Sequence, residues 1–448
     1  MKENTTDLTV GRPIRQIFFF ALPLVFGTLF QQLYSFADTV IIGRFLGETA
    51  LAAVGVTYSL NFLILGFIQG CTVGFGVPIS QSFGAKEPED VHRYFWNGAR
   101  LCALISIVFT IATVLLTVPL LGLIRTPDEI LITAADYIRV IFLGIPLTVL
   151  YNYSASVLRA LGDSQSPFRN LLLTSILNIL LDVLFVAVLP FGVIGAAAAT
   201  ILSQGVSGIL NLRILLTKTP YYRFRKNETA FSLPHVKRLC IIGLPMGFEY
   251  AVSSIGAIIM QYAINGLGAA AIAGQTAGEK IRQMFTLPME SVGMAMATYT
   301  AQNYGAGRYD RIKRGIRDGL IIQAVYCAAA YLIIFVGKGP CVYLVLGETT
   351  SETAQFAIRY LGIISSLFIF HGSLMILRNT LQGMGHSLQA IISGIGELIG
   401  RSIGAFLTSA FGFLAICYSN PLAWACALVY CTVMVTIHLR RLISVRTK

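Results

Sequence analysis

Long apolar runs, separated by short polar stretches, recur along the whole 448-residue chain. Crossing a bilayer takes about 20 apolar residues in a helix. The runs are continuous and do not alternate with period two, so they predict helices and argue against a β-barrel. Twelve spans are expected, near 14–40, 50–78, 97–120, 130–158, 167–189, 193–216, 235–264, 270–298, 315–337, 354–378, 388–411 and 421–439. The predicted fold class is an all-α membrane protein.

The pattern occurs twice. VPISQSFGAKEPEDVHRYFWNG (77–98) lines up with ATYTAQNYGAGRYDRIKRGIRDG (297–319), and LGETALAA (46–53) with LGAAAIAG (267–274). ALP at 21–23 matches GLP at 243–245, and RALGDS at 159–164 matches QGMGHS at 382–387. Each copy holds six spans and starts on the same side. The repeats are therefore parallel, and their pseudo-two-fold axis is expected to run along the membrane normal. The expected division is an N-terminal lobe at 1–217, a basic cytoplasmic linker at 218–234 and a C-terminal lobe at 235–448. Glycines at four-residue spacing (Gly66, Gly70, Gly74; Gly243, Gly247; Gly396, Gly400, Gly404) fit close helix packing.

Composition agrees. Hydrophobic residues make up 55% and charged residues 12%, half the charge share of an average soluble protein, about 25%. The net charge of +12 would suit nucleic acid, but its placement argues otherwise. Lys2, Arg12, Arg15, Lys86, Arg93, Arg100, Arg159, Arg169, the seven basic residues of the central loop, the cluster Arg308, Arg311, Lys313, Arg314 and Arg317, Arg378 and the four C-terminal basics fall on one side. Only Arg44, Arg125 and Lys338 fall on the other. That bias predicts cytoplasmic termini and a plasma-membrane protein, with no nucleic-acid partner. The first span lacks a small-residue cleavage site and reads as uncleaved. The eight cysteines are scattered without a CxxC pair, which points to small packed residues. No Walker A, GxSxG or HExxH motif occurs, so neither an enzyme nor an ATP-driven pump is expected.

Ionisable groups within spans are costly and mark function. Asp38 lies late on span 1. Asn178 and Asp182 are four residues apart on span 5, hence on one face, and Thr200 lies on span 6. Two carboxylates, an amide and a hydroxyl could surround a small cation such as sodium, or the two acids could share a proton. The second copy has Met260 opposite Asp38, and this asymmetry favours function over a shared structural role. The second half offers Glu249 and His371 as a possible further site. Glu397 and Arg401, at i, i+4, read as a structural ion pair. Pro23, on the helix of Asp38, permits a bend there.

At these residues the chain resembles the MATE family, the multidrug and toxic compound extrusion transporters. The resemblance rests on ALP followed by Asp38 and GRFLGETALAAVG, on QSFGA with its copy QNYGAG, and on RALGDS with its copy LQGMGHS. It implies two six-helix lobes, alternating access, and export of lipophilic, often cationic drugs against proton or sodium entry, with no other cofactor. In the branch whose ion site lies in the N-terminal lobe, the pattern is an acid on helix 1, Asn-x-x-x-Asp on helix 5, and a small residue with Thr on helix 6. Asp38, Asn178, Asp182, Ala196 and Thr200 match it, and Pro23 matches that branch's bending proline. The partners implied are small-molecule drugs and the bilayer, with a monomer expected. The alternative is a flippase for lipid-linked sugars or peptidoglycan precursors. It would want Arg139 and Arg359 in a central cleft to hold a pyrophosphate.

Overall fold

Gly47 ends the first span. It has φ 84° and ψ −178° inside α1 (Pro13–Ala85), a conformation essentially confined to glycine, and it divides that helix into two spans. This computed structural model describes residues 6–218 and 230–446. Most of the expected linker, 219–229, lies outside the described residues. Next come α2 (Pro88–Leu115), the short α3 (Thr117–Leu123), α4 (Asp128–Leu143) and α5 (Ile145–Ala160). α6 (Gln165–Asp182) continues as a π-helical turn (Val183–Val188), and α7 (Gly192–Lys218) completes the first half. The second half holds α8 (Leu233–Asn265), α9 (Ala269–Gly305), α10 (Tyr309–Leu346), α11 (Glu352–Ser366), α12 (Phe368–Gly383), α13 (Ser387–Phe411) and α14 (Phe413–Arg446). No strand occurs among the described residues.

Eight helices are long and apolar enough to cross a membrane, and two bent pairs raise this to ten. α1 contributes a second span beyond Gly47. α9 is less apolar because it carries Glu279, Lys280, Arg282 and Glu290, yet at 37 residues it is long enough. With these, the twelve expected spans are present. Two of them differ from expectation in being broken. α4 and α5 meet at 47°, and α11 and α12 at 51°. The first break is explained locally. Pro146 removes a backbone donor, and a Cβ on Gly144 would come within 2.3 Å of Ile201. Large apolar side chains such as Leu123, Leu344 and Phe406 are about 80% exposed, a surface suited to lipid.

The duplication is written into the backbone. Positive φ recurs at matched turns: Gly47 with Gly268, Lys86 with Gly307, Arg125 with Gly347, Gly162 with Gly385, and Gly192 with Gly412. At two of these turns the first half uses a residue with a Cβ where the second uses glycine.

Contacts group the described residues into two units, 6–7 with 26–218 and 230–250, and 8–25 with 251–446. This departs from the division expected from sequence. The start of α1 belongs with the second half, and α8 up to Tyr250 belongs with the first. The change of membership falls just after Pro23 in α1 and five residues after Pro245 in α8.

The repeated Gln-x-x-Gly-Ala motif explains the exchange. Within the second unit, Gln302 Oε1 accepts from Leu8 N–H, and Asn303 Nδ2 donates to Leu8 O at 3.1 Å. Arg311 donates to the carbonyls of Leu8 and Gly11, Arg308 to Thr9 O, and Asp318 accepts from Ile14 N–H. Leu8 and Thr9 are buried there. Within the first unit, the segment before α8 is held similarly. Asn97 bonds both Ala230 O and Ser232 N–H, His235 lies 3.4 Å from Asp90, and Arg238 donates to Gln81 at 2.8 Å.

Glycines then bring helices into close contact. A Cβ on Gly70 or Gly74 would strike the backbone of Met246 or Gly243, and one on Gly247 would strike Cys71. In the second unit Gly396, Gly400 and Gly404 face Ala427, Ala423 and Ser419 in matching steps.

Candidate functional site

Asp38 and Tyr34 lie one helical turn apart on α1. Asn178 and Asp182 lie one turn apart on α6, and Ala196 and Thr200 one turn apart on α7. Folding brings these faces together in the first unit. Asp182 and Asn178 are at most 1% exposed, and Asp38 is half-buried. The carboxyl groups of Asp38 and Asp182 are within hydrogen-bonding reach of one another. By strict geometry, however, Asp38 Oδ1, both Asp182 oxygens and both Asn178 amide atoms have no hydrogen-bond partner. The acids thus touch without a well-formed bond, and five polar atoms converge unsatisfied.

The surroundings keep them close. Ala196 packs with Ile42, Ala50, Val186 and Val193, so a methyl group separates α7 from the α1 segment just beyond Asp38. The hydroxyl of Thr200 bonds back to Ala196 O at 3.2 Å. Directly after Asp182 the helix widens into the π-turn, where Leu189 N–H reaches Leu184 O. Such turns recur at functional sites because they displace the helix locally. Sequence reasoning missed that turn, since VLFVAV reads as an ordinary apolar run. It also missed Tyr34, Tyr137 and Gln204. The two phenols lie close enough to Asp38 to feel its charge, and Tyr34 and Gln204 line one small cavity with Asn178 and Thr200. The signal available for Tyr34 was its i, i+4 spacing from Asp38.

Chemically, two carboxylates so placed need something between them. Two unit charges 4 Å apart repel by about 4 kcal/mol at an effective dielectric constant of 20. A shared proton or a small cation relieves this, and the Asn178 amide oxygen is one more hard oxygen ligand for the cation. Among the described residues, no cluster of three or more His, Cys, Asp or Glu forms a transition-metal site.

A family model named MatE matches residues 23–184 and 245–423. The chain belongs to the MatE family. It is 28% identical over 392 residues to the probable multidrug resistance protein YpnP of Bacillus subtilis, covering 86% of both chains. It is 22% identical over 413 residues to the multidrug export protein MepA of Staphylococcus haemolyticus, covering 90% of this chain and 89% of that one. A solved structure described as the outward-facing conformation of a multidrug resistance MATE family transporter superposes with a TM-score of 0.92 at 22% identity, covering 98% and 99% of the two chains. The MatE chain is thus a multi-pass membrane protein of a transport family.

Other candidates in this MatE chain are arranged differently. Pro23 lies in the segment grouped with the second unit, two residues before the change of membership. Glu249 is buried and grouped with the first unit, whereas His371 belongs to the second, so the contacts separate them. Neither ring nitrogen of His371 has a hydrogen bond. Glu290 Oε1 lies 3.8 Å from Nε2, and the Trp424 ring lies 4.7 Å away. Arg401 Nη2 lies 3.2 Å from Glu397 Oε2, and Arg378 Nη1 lies 2.6 Å from Glu397 Oε1. Arg378, counted above among the charges expected on the cytoplasmic side, is a largely buried partner of Glu397. A second pair, Arg282 and Glu279, is tied to Tyr360, whose hydroxyl donates to Glu279. For the flippase alternative, Arg139 lies 4.0 Å from Asp136, and Arg359 lines an open groove of about 310 Å³ with Lys338 and Tyr331.

Proposed function

We propose that this protein is a cation-coupled antiporter that exports lipophilic, often cationic drugs by alternating access, with both termini in the cytoplasm. The coupling ion, a proton or sodium, binds at Asp38 and Asp182, with Asn178 and Thr200 beside them and Ala196 admitting the close approach. The observation that carries this reading is the buried acid pair with unsatisfied oxygens. Membership of the MatE family and relatives named for multidrug resistance and export support the cargo class.

Loading the ion cancels the negative charge that attracts a cationic drug. It also removes the repulsion between the helices carrying Asp38 and Asp182. Pro23, which leaves the carbonyl of Phe19 without its helical partner, lets α1 change its bend in response. The drug then leaves outward, and loss of the ion resets the molecule. The ion acts as co-substrate, and no further cofactor is required. The flippase alternative is not favoured, because the relatives are named for multidrug resistance and export.

The test is dye efflux from proteoliposomes under separately imposed proton and sodium gradients. Asp38→Asn and Asp182→Asn are expected to abolish gradient-driven efflux while the protein stays folded. Wild-type rates in either variant would overturn the assignment.

A further inference from the structure

From the ion site, the first unit carries a row of buried and half-buried polar side chains that continues past the residues holding the ion. On α6 the row runs Asp182, Asn178, Thr174, Asn170, at four-residue steps. On α7 it runs Thr200, Ser203, Ser207, Asn211, at steps of three and four, so each set lies on one face. Asn170 Nδ2 donates to Asn211 Oδ1 at 2.7 Å and fixes the antiparallel register. Counting back from that bond in fours puts Thr174 level with Ser207 and Asn178 level with Ser203. The row therefore leads from Asp182 to Asn170, about 18 Å at 1.5 Å per residue, and α6 starts little more than one turn beyond it. There Gln165 and Arg169 are exposed.

Two observations separate this row from ordinary helix polarity. First, Thr174, Ser175 and Thr200 give their hydroxyls to carbonyls of their own helix, but Ser203 and Ser207 do not. Their Oγ atoms and Asn211 Nδ2 are buried without a partner, at 4%, 1% and 0% residue exposure. Second, a cavity of about 10 Å³ opens between Tyr34, Asn178, Ser203, Gln204 and Ser207, room for about one water molecule.

We propose that this row is a proton conduit from the Asp38–Asp182 pair to the α6 start, carried by the Ser203 and Ser207 hydroxyls and water in the cavity between them. It rests on the reading of those acids as the ion-carrying pair. A proton leaves the Asp182 carboxyl for a water oxygen, that water passes one of its own protons to the next hydroxyl, and the chain repeats the exchange to the exit. Only O–H bonds are made and broken, and rotation of the hydroxyls resets the row. Ser203 and Ser207 act here as relay groups, and Asn170 with Asn211 frames the exit.

The test compares wild type with Ser203→Ala/Ser207→Ala, and with each single variant, in proteoliposomes containing a trapped pH dye. Net efflux driven by a proton gradient requires proton release. Exchange of labelled for unlabelled dye at equal pH does not. The double variant is expected to lose about tenfold in net efflux, a modest part of what positioned proton transfer contributes. Exchange should stay within twofold of wild type, and deuterated water should slow the variant more than the wild type. Unchanged net efflux would overturn the proposal. An equal fall in both processes would mark a structural role and overturn it too, as would efflux driven by sodium alone. If Asp38→Asn leaves efflux intact, the acid pair is misassigned. If that variant is dead while the serine variants match wild type, only the conduit fails.

Discussion

Gln302 Oε1 accepts a hydrogen bond from the backbone N–H of Leu8 at 3.0 Å, across 294 positions of sequence. Both residues are fully buried. In Gln302→Leu the amide of Leu8 keeps its burial and loses its acceptor. An orphaned buried donor costs about 1–3 kcal/mol. The variant should unfold correspondingly earlier in a denaturant or thermal melt in detergent. Gln81→Leu should cost less, because Arg238, which donates to Gln81, is exposed.

Gly47 has nothing within 4 Å of an added Cβ, so the cost of Gly47→Ala is purely conformational. A backbone in that region costs about 1–3 kcal/mol for a residue with a side chain. The expected result is a lower melting temperature with spans 1 and 2 still inserted. Lys86, at φ 62°, is the reverse case. Lys86→Gly relieves strain and should leave stability unchanged or slightly raised in the same measurement.

Glu397 holds two arginines at once. Glu397→Gln leaves Arg378 and Arg401 as buried cations without their carboxylate. Breaking a buried pair costs about 3–5 kcal/mol. Exposed Glu48→Gln serves as the control and should fall within about 0.5 kcal/mol of wild type. Equal melting temperatures for the two variants would show that water replaces the lost charge.

His386 sits in the turn before α13 with its ring stacked on His438 at 3.8 Å. Burial and the neighbouring His438 push it down to about 4. The unfolded chain binds this proton below about 6.5, and the folded one does not until about 4. Stability is therefore full above pH 6.5 and falls as pH drops from 6.5 towards 4. His386→Gln should flatten that part of a melting temperature against pH profile.

Much of this architecture is legible in the chain. Apolar runs give the spans, and matched words such as QSFGA and QNYGA give the duplication. The glycine spacings locate helices that do pack closely. Asp38, Asn178 and Asp182 stand out because charge in an apolar run is rare. The rest is hidden for identifiable reasons. The exchange of the α1 and α8 starts depends on hydrogen bonds across about 300 residues for the first and 133 to 157 for the second, which no local pattern encodes. Arg378 reads as a span-end charge because its partner lies on another helix. Ser203 and Ser207 read as neutral residues, since only the structure shows which hydroxyls fail to bond their own helix.

The placement of residues 8–25 among residues 251–446 bears on how the chain is made. This segment docks against residues synthesised about 300 positions later, so its contacts stay unmade until Gln302, Arg311 and Asp318 have been synthesised. Separately expressed halves would each carry the other's missing piece. Such fragments should mature only when produced together.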